Sequence, residues 1–179
     1  MIRSAEALLA AHLAGDPAAF VELWHRLAPT LYSVARGALD SREDADEAVQ
    51  DALVRAHQNA ARFRGESSVT TWVVKILLNV CRDRHRHNRA RPAEPVAEPE
   101  AYVDARDPMS AVDTRLEVWA ALDELPPHQR LPIVFVDVLE YPVAEAASIL
   151  GVPTGTVKSR CARGRARLLA ALSDVEEVA

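Results

Sequence analysis

Two clusters of basic residues are the part of this sequence best suited to chemistry, and the chemistry they suit is phosphate binding. Residues 75–91 carry a net charge of +5, and residues 154–167 carry another +5 with no acid among them. Acidic segments accompany them, with a net −5 over residues 40–51 and −7 over residues 92–124. One charged run is most often a solvated helix face, but two separate basic runs indicate two places for a polyanion. The overall charge of −5 hides this segregation.

In the first basic cluster, a neutral amide stands in a row of cations. Lys75, Asn79, Arg82 and Arg86 follow at spacings of 4, 3 and 4, which places them on one face of a helix. The cations can hold phosphates while the amide reads a base edge, although an isolated Asn would simply be an exposed polar residue. The preceding loop offers side chains that could hold an extruded base by stacking or hydrogen bonding, namely Arg62, Phe63, Arg64, Ser67 and Ser68.

The second basic cluster follows the pattern of a helix-turn-helix over residues 142–160. Ala147 is small where the second helix crosses, Gly151 supplies the left-handed backbone of the turn, and Thr154 caps the second helix. The apolar stripe of that helix is predicted to be Val157, Cys161, Gly164 and Leu168. Its DNA-facing residues are predicted to be Thr154, Thr156, Lys158, Ser159, Arg160, Ala162 and Arg163. The alternative is an ordinary helical hairpin with a basic surface.

The third helix has the opposite character. Its outward face is acidic with an apolar residue at its centre, and consists of Asp46, Glu47, Gln50, Asp51, Val54 and His57. Such a face suits a protein surface and repels DNA, although a plain solvated face is the alternative.

Catalysis has no candidate residues. Cys81, His85 and His87 have a Cys-x3-His-x-His spacing, but the set lacks a fourth ligand and His87 points away from the other two, so no metal site is predicted. The chain has no phosphate-binding loop and no nucleophile elbow. We therefore expect a binding protein with no enzymatic activity and no cofactor.

The elements that position these residues are predicted to be helices almost throughout. Asp16 is expected to cap the second helix with Pro17 at its first position, and Pro132 is expected to distort the first turns of its helix. The other helices are predicted at about 4–14, 42–60, 69–88, 113–125, 127–140, 143–150 and 154–172.

Composition supports an all-α protein of two small helical domains joined by a flexible acidic linker. The predicted boundaries are 1–89, 90–112 for the proline-rich linker, and 113–179 for the domain with the helix-turn-helix. The 179 residues are 49% hydrophobic, which excludes collagen-like and wholly disordered chains. No apolar run reaches the roughly 18 residues of a membrane helix, and residues 1–15 lack a signal-peptide pattern. We therefore expect a cytoplasmic protein without membrane insertion, its two cysteines reduced and buried.

Taken in order, six segments resemble the extracytoplasmic-function (ECF) group of bacterial RNA polymerase sigma factors. The segments are GDPAAF at 15–20, DADEAVQDALVR at 44–55, FRGES at 63–67, TWVVKILLN at 71–79, LPPHQR at 125–130 and GTVKSR at 155–160. The likeness covers residues 4–172. It departs from the family at His57, where Trp is usual, and at Pro132, within a helix that is normally uninterrupted.

The resemblance implies a role for each surface. Asp46, Gln50, Asp51, Val54 and Arg55 would dock on core RNA polymerase. The loop 63–68 would capture a flipped base of the promoter −10 element, with further −10 contacts from Arg62, Lys75, Asn79, Arg82 and Arg86. The outer face of the last helix would read the −35 element, with a loose readout at Ala162. The acidic linker would thread the RNA channel of the polymerase.

The resemblance also implies partners. They are core RNA polymerase, promoter DNA and an anti-sigma factor, with a chain that is monomeric when free. Two other functions remain open on the residues alone: a free-standing helix-turn-helix repressor, which needs a dimer interface, and a scaffold whose basic helices bind acidic proteins.

Overall fold

The computed structural model describes residues 3–90 and 117–176, and every regular element within these two ranges is helical. The helices are α1 (Ala5–Leu13), α2 (Ala19–Ala38), α3 (Arg42–Asn59), α4 (Val69–Ala90), α5 (residues 117–123), α6 (Pro127–Ile133), α7 (Val143–Leu150) and α8 (Thr154–Glu176). The all-α prediction is confirmed. Of the linker predicted at 90–112, only Ala90 falls within the described ranges, where it ends α4.

Helices α1 to α4 form the N-terminal half around one apolar core. Leu31 of α2, Val49 of α3 and Leu77 of α4 are all fully buried in it. Serine hydroxyls accept hydrogen bonds at three helix starts, from Ser4 for α1, Ser41 for α3 and Ser68 for α4. These caps explain why the predicted starts of α1, α3 and α4 were close to the observed ones.

The predicted start of α2 was wrong by two residues. The helix begins at Ala19, and neither Asp16 nor Pro17 occupies the position predicted for it. The Asp16 carboxylate instead accepts a hydrogen bond from the Ala18 N–H at 3.0 Å and pairs with Arg3 at 3.0 Å. Asp16, the predicted cap, is thus held by an ion pair with Arg3, which precedes α1. The local sequence around Asp16 gives no sign of this contact.

Helices α5 to α8 form the C-terminal half. Pro132 is buried inside α6, and the distortion comes after it, where Val134–Val138 forms a π-helical turn with the Leu139 N–H bonded to the Val134 carbonyl at 2.9 Å. The predicted single helix over 127–140 is therefore two segments. The predicted stripe of α8 is confirmed, since Val157, Cys161 and Gly164 are buried and Leu168 is half-buried.

The two halves touch each other, with α6 packed against the end of α2. Gly37 of α2 is a point of close approach, because a Cβ there would lie 3.1 Å from the Val134 side chain and 3.2 Å from that of Leu131. Across the described ranges, no helix is both long enough and apolar enough to cross a membrane.

Candidate nucleic-acid and polymerase interfaces

The turn between α7 and α8 has the geometry that a helix-turn-helix requires. Gly151 adopts φ 68° and ψ 36°, a left-handed conformation that side chains disfavour. The Val152 N–H bonds back to the Ala147 carbonyl at 3.1 Å, which closes the turn. Ala147 and Val157 are buried between the two helices, so α8 is fixed firmly against α7. The start of α8 then projects from the surface.

The residues predicted to contact DNA on α8 are mostly exposed along one face. Thr154, Lys158, Ser159, Ala162 and Arg163 are exposed and Thr156 is half-buried. The Arg163 Nε donates to the Ser159 carbonyl at 3.2 Å, which orients its guanidinium along this face.

Two other arginines of α8 are placed differently. Arg165 makes a two-pronged ion pair with Asp137, at 3.0 and 2.7 Å, so its charge is neutralised within the C-terminal half. Arg160, predicted as a DNA contact, is half-buried and lines a cavity of about 210 Å³ between the two halves. The α8 face that is open to solvent therefore has Lys158, Arg163 and Arg167 as its cations.

The predicted row on α4 is exposed as a continuous stripe. Lys75, Asn79, Arg82 and Arg86 all face solvent. The Arg82 Nη1 donates to the Asn79 Oδ1 at 2.8 Å, and Arg86 pairs with Asp83 one turn back. The amide and its neighbouring cation are thus held together on one surface, as base reading beside a phosphate contact requires.

The loop before α4 is more tightly engaged than its sequence indicated. The Phe63 ring is half-buried and lies 5.3 Å from the Trp72 ring, so one side of it is already packed. The Ser68 hydroxyl accepts from the Thr71 N–H at 3.1 Å and donates to the Thr71 Oγ1 at 3.0 Å, which makes it the cap of α4. The exposed Arg62 donates to Asn59 at 3.3 Å, and the Ser67 hydroxyl donates only to the neighbouring carbonyl at 3.4 Å.

The outward face of α3 carries acids around an exposed apolar residue. Val54 is 53% exposed, Gln50 and Asp51 are exposed, and Asp46 is half-buried. Arg55 lies at the edge of this face, 3.6 Å from Asp83 of α4. The face combines negative charge with an apolar centre, which suits a partner protein with a basic surface.

Arg84 is a residue of this site that sequence reasoning missed. It belongs to the first basic cluster, yet it turns inward and binds three carboxylates of α3: Asp44 at 3.4 Å, Glu47 at 2.7 Å and Asp51 at 2.9 Å. Partial burial works against its charge, but the hydrogen bonds that it donates to Glu47 and Asp51 outweigh that effect and raise the pKa of the guanidinium. The three carboxylates are spaced one and two turns apart along α3, so they share one helix face. That spacing was the sequence signal that could have indicated a basic partner for them.

His57 also has an unexpected neighbourhood. Its ring lies 4.8 Å from that of Phe20 and 5.0 Å from that of His12, so α1, α2 and α3 meet in a cluster of three rings. An imidazole therefore occupies the place where the resemblance leads one to expect a larger indole.

Both cysteines are free and buried, as predicted. Burial raises the pKa of the Cys81 thiol to about 12, and it raises the pKa of Cys161 in the same direction. At neutral pH both are therefore protonated packing groups.

Comparison with known proteins agrees with this geometry. The family model for sigma-70 region 2 matches residues 23–91, and that for sigma-70 region 4 matches residues 115–168. The ECF RNA polymerase sigma factor SigM of Mycobacterium tuberculosis is 45% identical over 166 residues, which is 93% of this chain and 83% of the relative.

Two solved structures share the fold. The sigma factor RpoE in complex with the anti-sigma factor NepR from Bartonella quintana has a TM-score of 0.66 and 26% identity, covering 87% of this chain and 98% of the other. CnrH in complex with the cytosolic domain of CnrY has a TM-score of 0.65 and 28% identity, covering 93% and 96%.

An N-terminal helical domain with an acidic and a cationic face, followed by a helix-turn-helix domain, is the organisation of a sigma-70-class factor with regions 2 and 4. Within that class, the chain belongs to the ECF group of RNA polymerase sigma factors.

Proposed function

We propose that this chain binds core RNA polymerase, directs it to promoters through their −35 and −10 elements, and supports initiation there. The observation that carries the proposal is the presence of two exposed cationic helix faces, on α4 and α8, together with a separate acidic face on α3. A repressor would need one DNA-reading helix in each of two subunits. Two readers in one chain, beside a surface that repels DNA, suit a subunit that links a polymerase to two promoter elements.

For the −35 element, we propose that the outer face of α8 enters the major groove. Lys158 and Arg163 would neutralise phosphates, and Ser159 and Ala162 would meet base edges. Thr154 and Thr156 lie at the start of α8, where hydroxyls and helix N–H groups suit a phosphate. Arg160 would join this surface when the cavity that it lines is open.

For the −10 element, we propose that the α4 stripe and the loop before it act together. Asn79 would read a base while Lys75, Arg82 and Arg86 hold the backbone. Arg62, Phe63 and Ser67 would receive an extruded base, with the exposed side of the Phe63 ring available for stacking. Ser68 would contribute by holding the start of α4 in place, because its hydroxyl already caps that helix.

For the polymerase, we propose that the α3 face is the docking surface. Val54 would be buried in the contact, and Asp46, Gln50, Asp51 and Arg55 would surround it with polar interactions. The solved neighbour RpoE is in complex with the anti-sigma factor NepR, and we propose that this chain too is held inactive by an anti-sigma partner. The chain would act as a regulator without catalytic chemistry, in the cytoplasm where promoters lie.

The −35 assignment is tested by two arginines of α8 that lie two residues apart and therefore point in different directions. We expect Arg163→Ala to lower the affinity for a −35 duplex at moderate salt by roughly fivefold or more, because one phosphate contact is lost. Arg165→Ala is the matched control, since that guanidinium is already paired with Asp137. Electrophoretic mobility shift at several salt concentrations measures both. An equal loss for the two variants would contradict the assignment.

The docking assignment is tested at Val54. We expect Val54→Asp to weaken binding to core polymerase by at least tenfold, because a charge would be buried in the contact. Val118→Asp is the control, since Val118 is similarly exposed, at 48% against 53%, in the other half. Asp51→Lys is less informative because Asp51 also pairs with Arg84. Pull-down of core polymerase measures the binding of each variant. Unchanged binding by Val54→Asp would refute the assignment.

A further inference from the structure

The cavity of about 210 Å³ between the halves has walls from the end of α2, the second half of α4, and α6 to α8. Most of the lining is apolar, and it includes Leu78, Leu131, Leu150 and Val152. An apolar cavity of about 150 Å³ is enough to bind benzene, so this volume has room for a body of that size with one further small group. An apolar cavity with a few polar groups is the usual form of a small-molecule site.

The charged part of the lining has a single sign. Arg82 and His85 of α4, His128 of α6 and Arg160 of α8 all contribute to the walls, and no acidic residue is among the described lining residues. The Arg82 guanidinium donates to the Asn79 amide, which is neutral, so its positive charge is not cancelled there. Cations grouped around an apolar space favour a ligand that is an anion with an apolar body.

Arg160 differs from the other described arginines that are shielded from solvent. Arg3, Arg36, Arg84 and Arg130 are half-buried or buried, and each pairs with at least one carboxylate. Arg160 is half-buried too, yet it makes no hydrogen bond and no ion pair with any residue that the structure describes. Partial burial of a charge without a partner is unfavourable, so an anion beside Arg160 would be stabilised.

The anionic group that fits best is a carboxylate. A planar carboxylate matches the fork of a guanidinium with two parallel hydrogen bonds, which gives it a fixed orientation. Beyond a benzene-sized body, the cavity leaves only about 60 Å³, which suits a carboxylate better than a tetrahedral phosphate. The His85 Nε2 donates to the Ala38 carbonyl at 2.8 Å, so the wall that α4 contributes is anchored to the end of α2.

We infer that this cavity is a binding site for a small organic carboxylate with a compact apolar body, held by an ion pair with Arg160. The body would cover Leu78 and Val152 and exclude water from them, and Arg82 would add a second positive charge near the carboxylate. The site goes beyond the proposed function, because binding to polymerase and promoters requires no such ligand.

The test uses benzoate as the probe, titrated into the full chain and followed by NMR of labelled methyl groups. We expect saturable binding, with contacts from the ring protons to methyl groups of both Leu78 and Val152, which belong to different halves. Arg160→Ala should weaken benzoate binding at least tenfold, because a charge-assisted pair is lost. Arg167→Ala is the matched control and should bind like the wild type. It lies two turns further along the same side of α8, is exposed, and does not line the cavity.

Two other ligands separate the contributions of charge and ring. Acetate lacks the ring and benzyl alcohol lacks the charge, so each should bind at least tenfold more weakly than benzoate. Val152→Phe should fill the cavity and abolish benzoate binding although Arg160 is retained, with folding of every variant checked by circular dichroism. Absence of saturable benzoate binding, or equal affinities of the Arg160→Ala and Arg167→Ala chains, would overturn the inference.

The site has a consequence for DNA binding, and this consequence alone rests on the proposed function. Arg160 is among the residues proposed for the −35 surface, so a bound carboxylate and promoter phosphates would compete for one guanidinium. Saturating benzoate, compared with equal acetate, should lower the affinity of the wild type for a −35 duplex at least twofold and leave that of Arg160→Ala unchanged. Benzoate that binds without this effect would overturn the competition, whereas no duplex binding by either chain would contradict the proposed function.

Discussion

At the scale of single residues, Arg84 connects the two surfaces that the sequence presents as separate. It lies in the basic cluster of α4, but its guanidinium binds three carboxylates of the acidic α3. The proposed docking surface on α3 is therefore partly neutralised and held in place by a residue of the first basic cluster. Sequence showed the sign and position of the charges, but it could not show that Arg84 turns towards α3 while Arg82 and Arg86 face solvent.

Replacement of Arg84 should destabilise the N-terminal half. We expect Arg84→Ala to lower the free energy of unfolding by about 1–2 kcal/mol, because three carboxylates lose a shared, partly buried partner. Arg86→Ala is the control, since that side chain is 79% exposed and should cost less than about 0.5 kcal/mol. Urea denaturation followed by circular dichroism measures both. Equal stability of the two variants would show that the Arg84 contacts contribute nothing.

Cys81 gives a prediction about pH. Its pKa is raised to about 12 in the folded chain from an unfolded value of 9.0, so the folded state retains the thiol proton where the unfolded state loses it. The stabilisation is complete below pH 9 and is lost as pH rises towards 12.

Between pH 8 and pH 10, this thiol should remove about 1.4 kcal/mol from the free energy of unfolding. We expect Cys81→Ala to show a correspondingly shallower decline over that interval. Urea denaturation of both chains at pH 8, 9 and 10 isolates the effect, because the other titrating groups are common to both. Parallel pH profiles would show that the thiol is not held protonated by the fold.

At the scale of elements, the helix-turn-helix was predictable because its signals are local. The bounds of α7 agree with the prediction and α8 begins at the predicted Thr154, since a left-handed glycine and a regular apolar period define them. The start of α2 and the π-helical turn at Val134–Val138 were not predicted. At both places the helix departs from the expected pattern because distant parts of the chain pack there. Local periodicity carries no information about such contacts.

Two glycines on α8 give a paired test of its packing against α6. A Cβ on Gly164 would lie 2.5 Å from the Ile133 Cδ1, whereas a Cβ on Gly155 would meet nothing within 4 Å. We expect Gly164→Ala to lower the free energy of unfolding by about 1–3 kcal/mol through overpacking. Gly155→Ala should raise it by about 0.4–1 kcal/mol, because alanine favours the helix. Thermal denaturation shows whether each variant is more or less stable than the wild type. Stabilisation by Gly164→Ala would contradict the close packing of α8 against α6 at this glycine.

At the scale of the whole molecule, charge segregation was the most informative property of the sequence. It indicated two cationic faces and an acidic face in one chain of net charge −5, and the structure has these charges on α4, α8 and α3. The contact between halves could not be predicted in the same way. Arg130 binds Asp40, which is 90 residues earlier, and a pairing over that separation leaves no periodic or motif signal.

The most direct measurement is run-off transcription with the full chain and core polymerase on a library of candidate promoter templates. The account predicts transcripts with a defined 5′ end that require both proteins, and that disappear when either the −35 or the −10 element of the template is scrambled. Transcripts unchanged by omission of the chain, or no defined start on any template although the chain is folded, would contradict it.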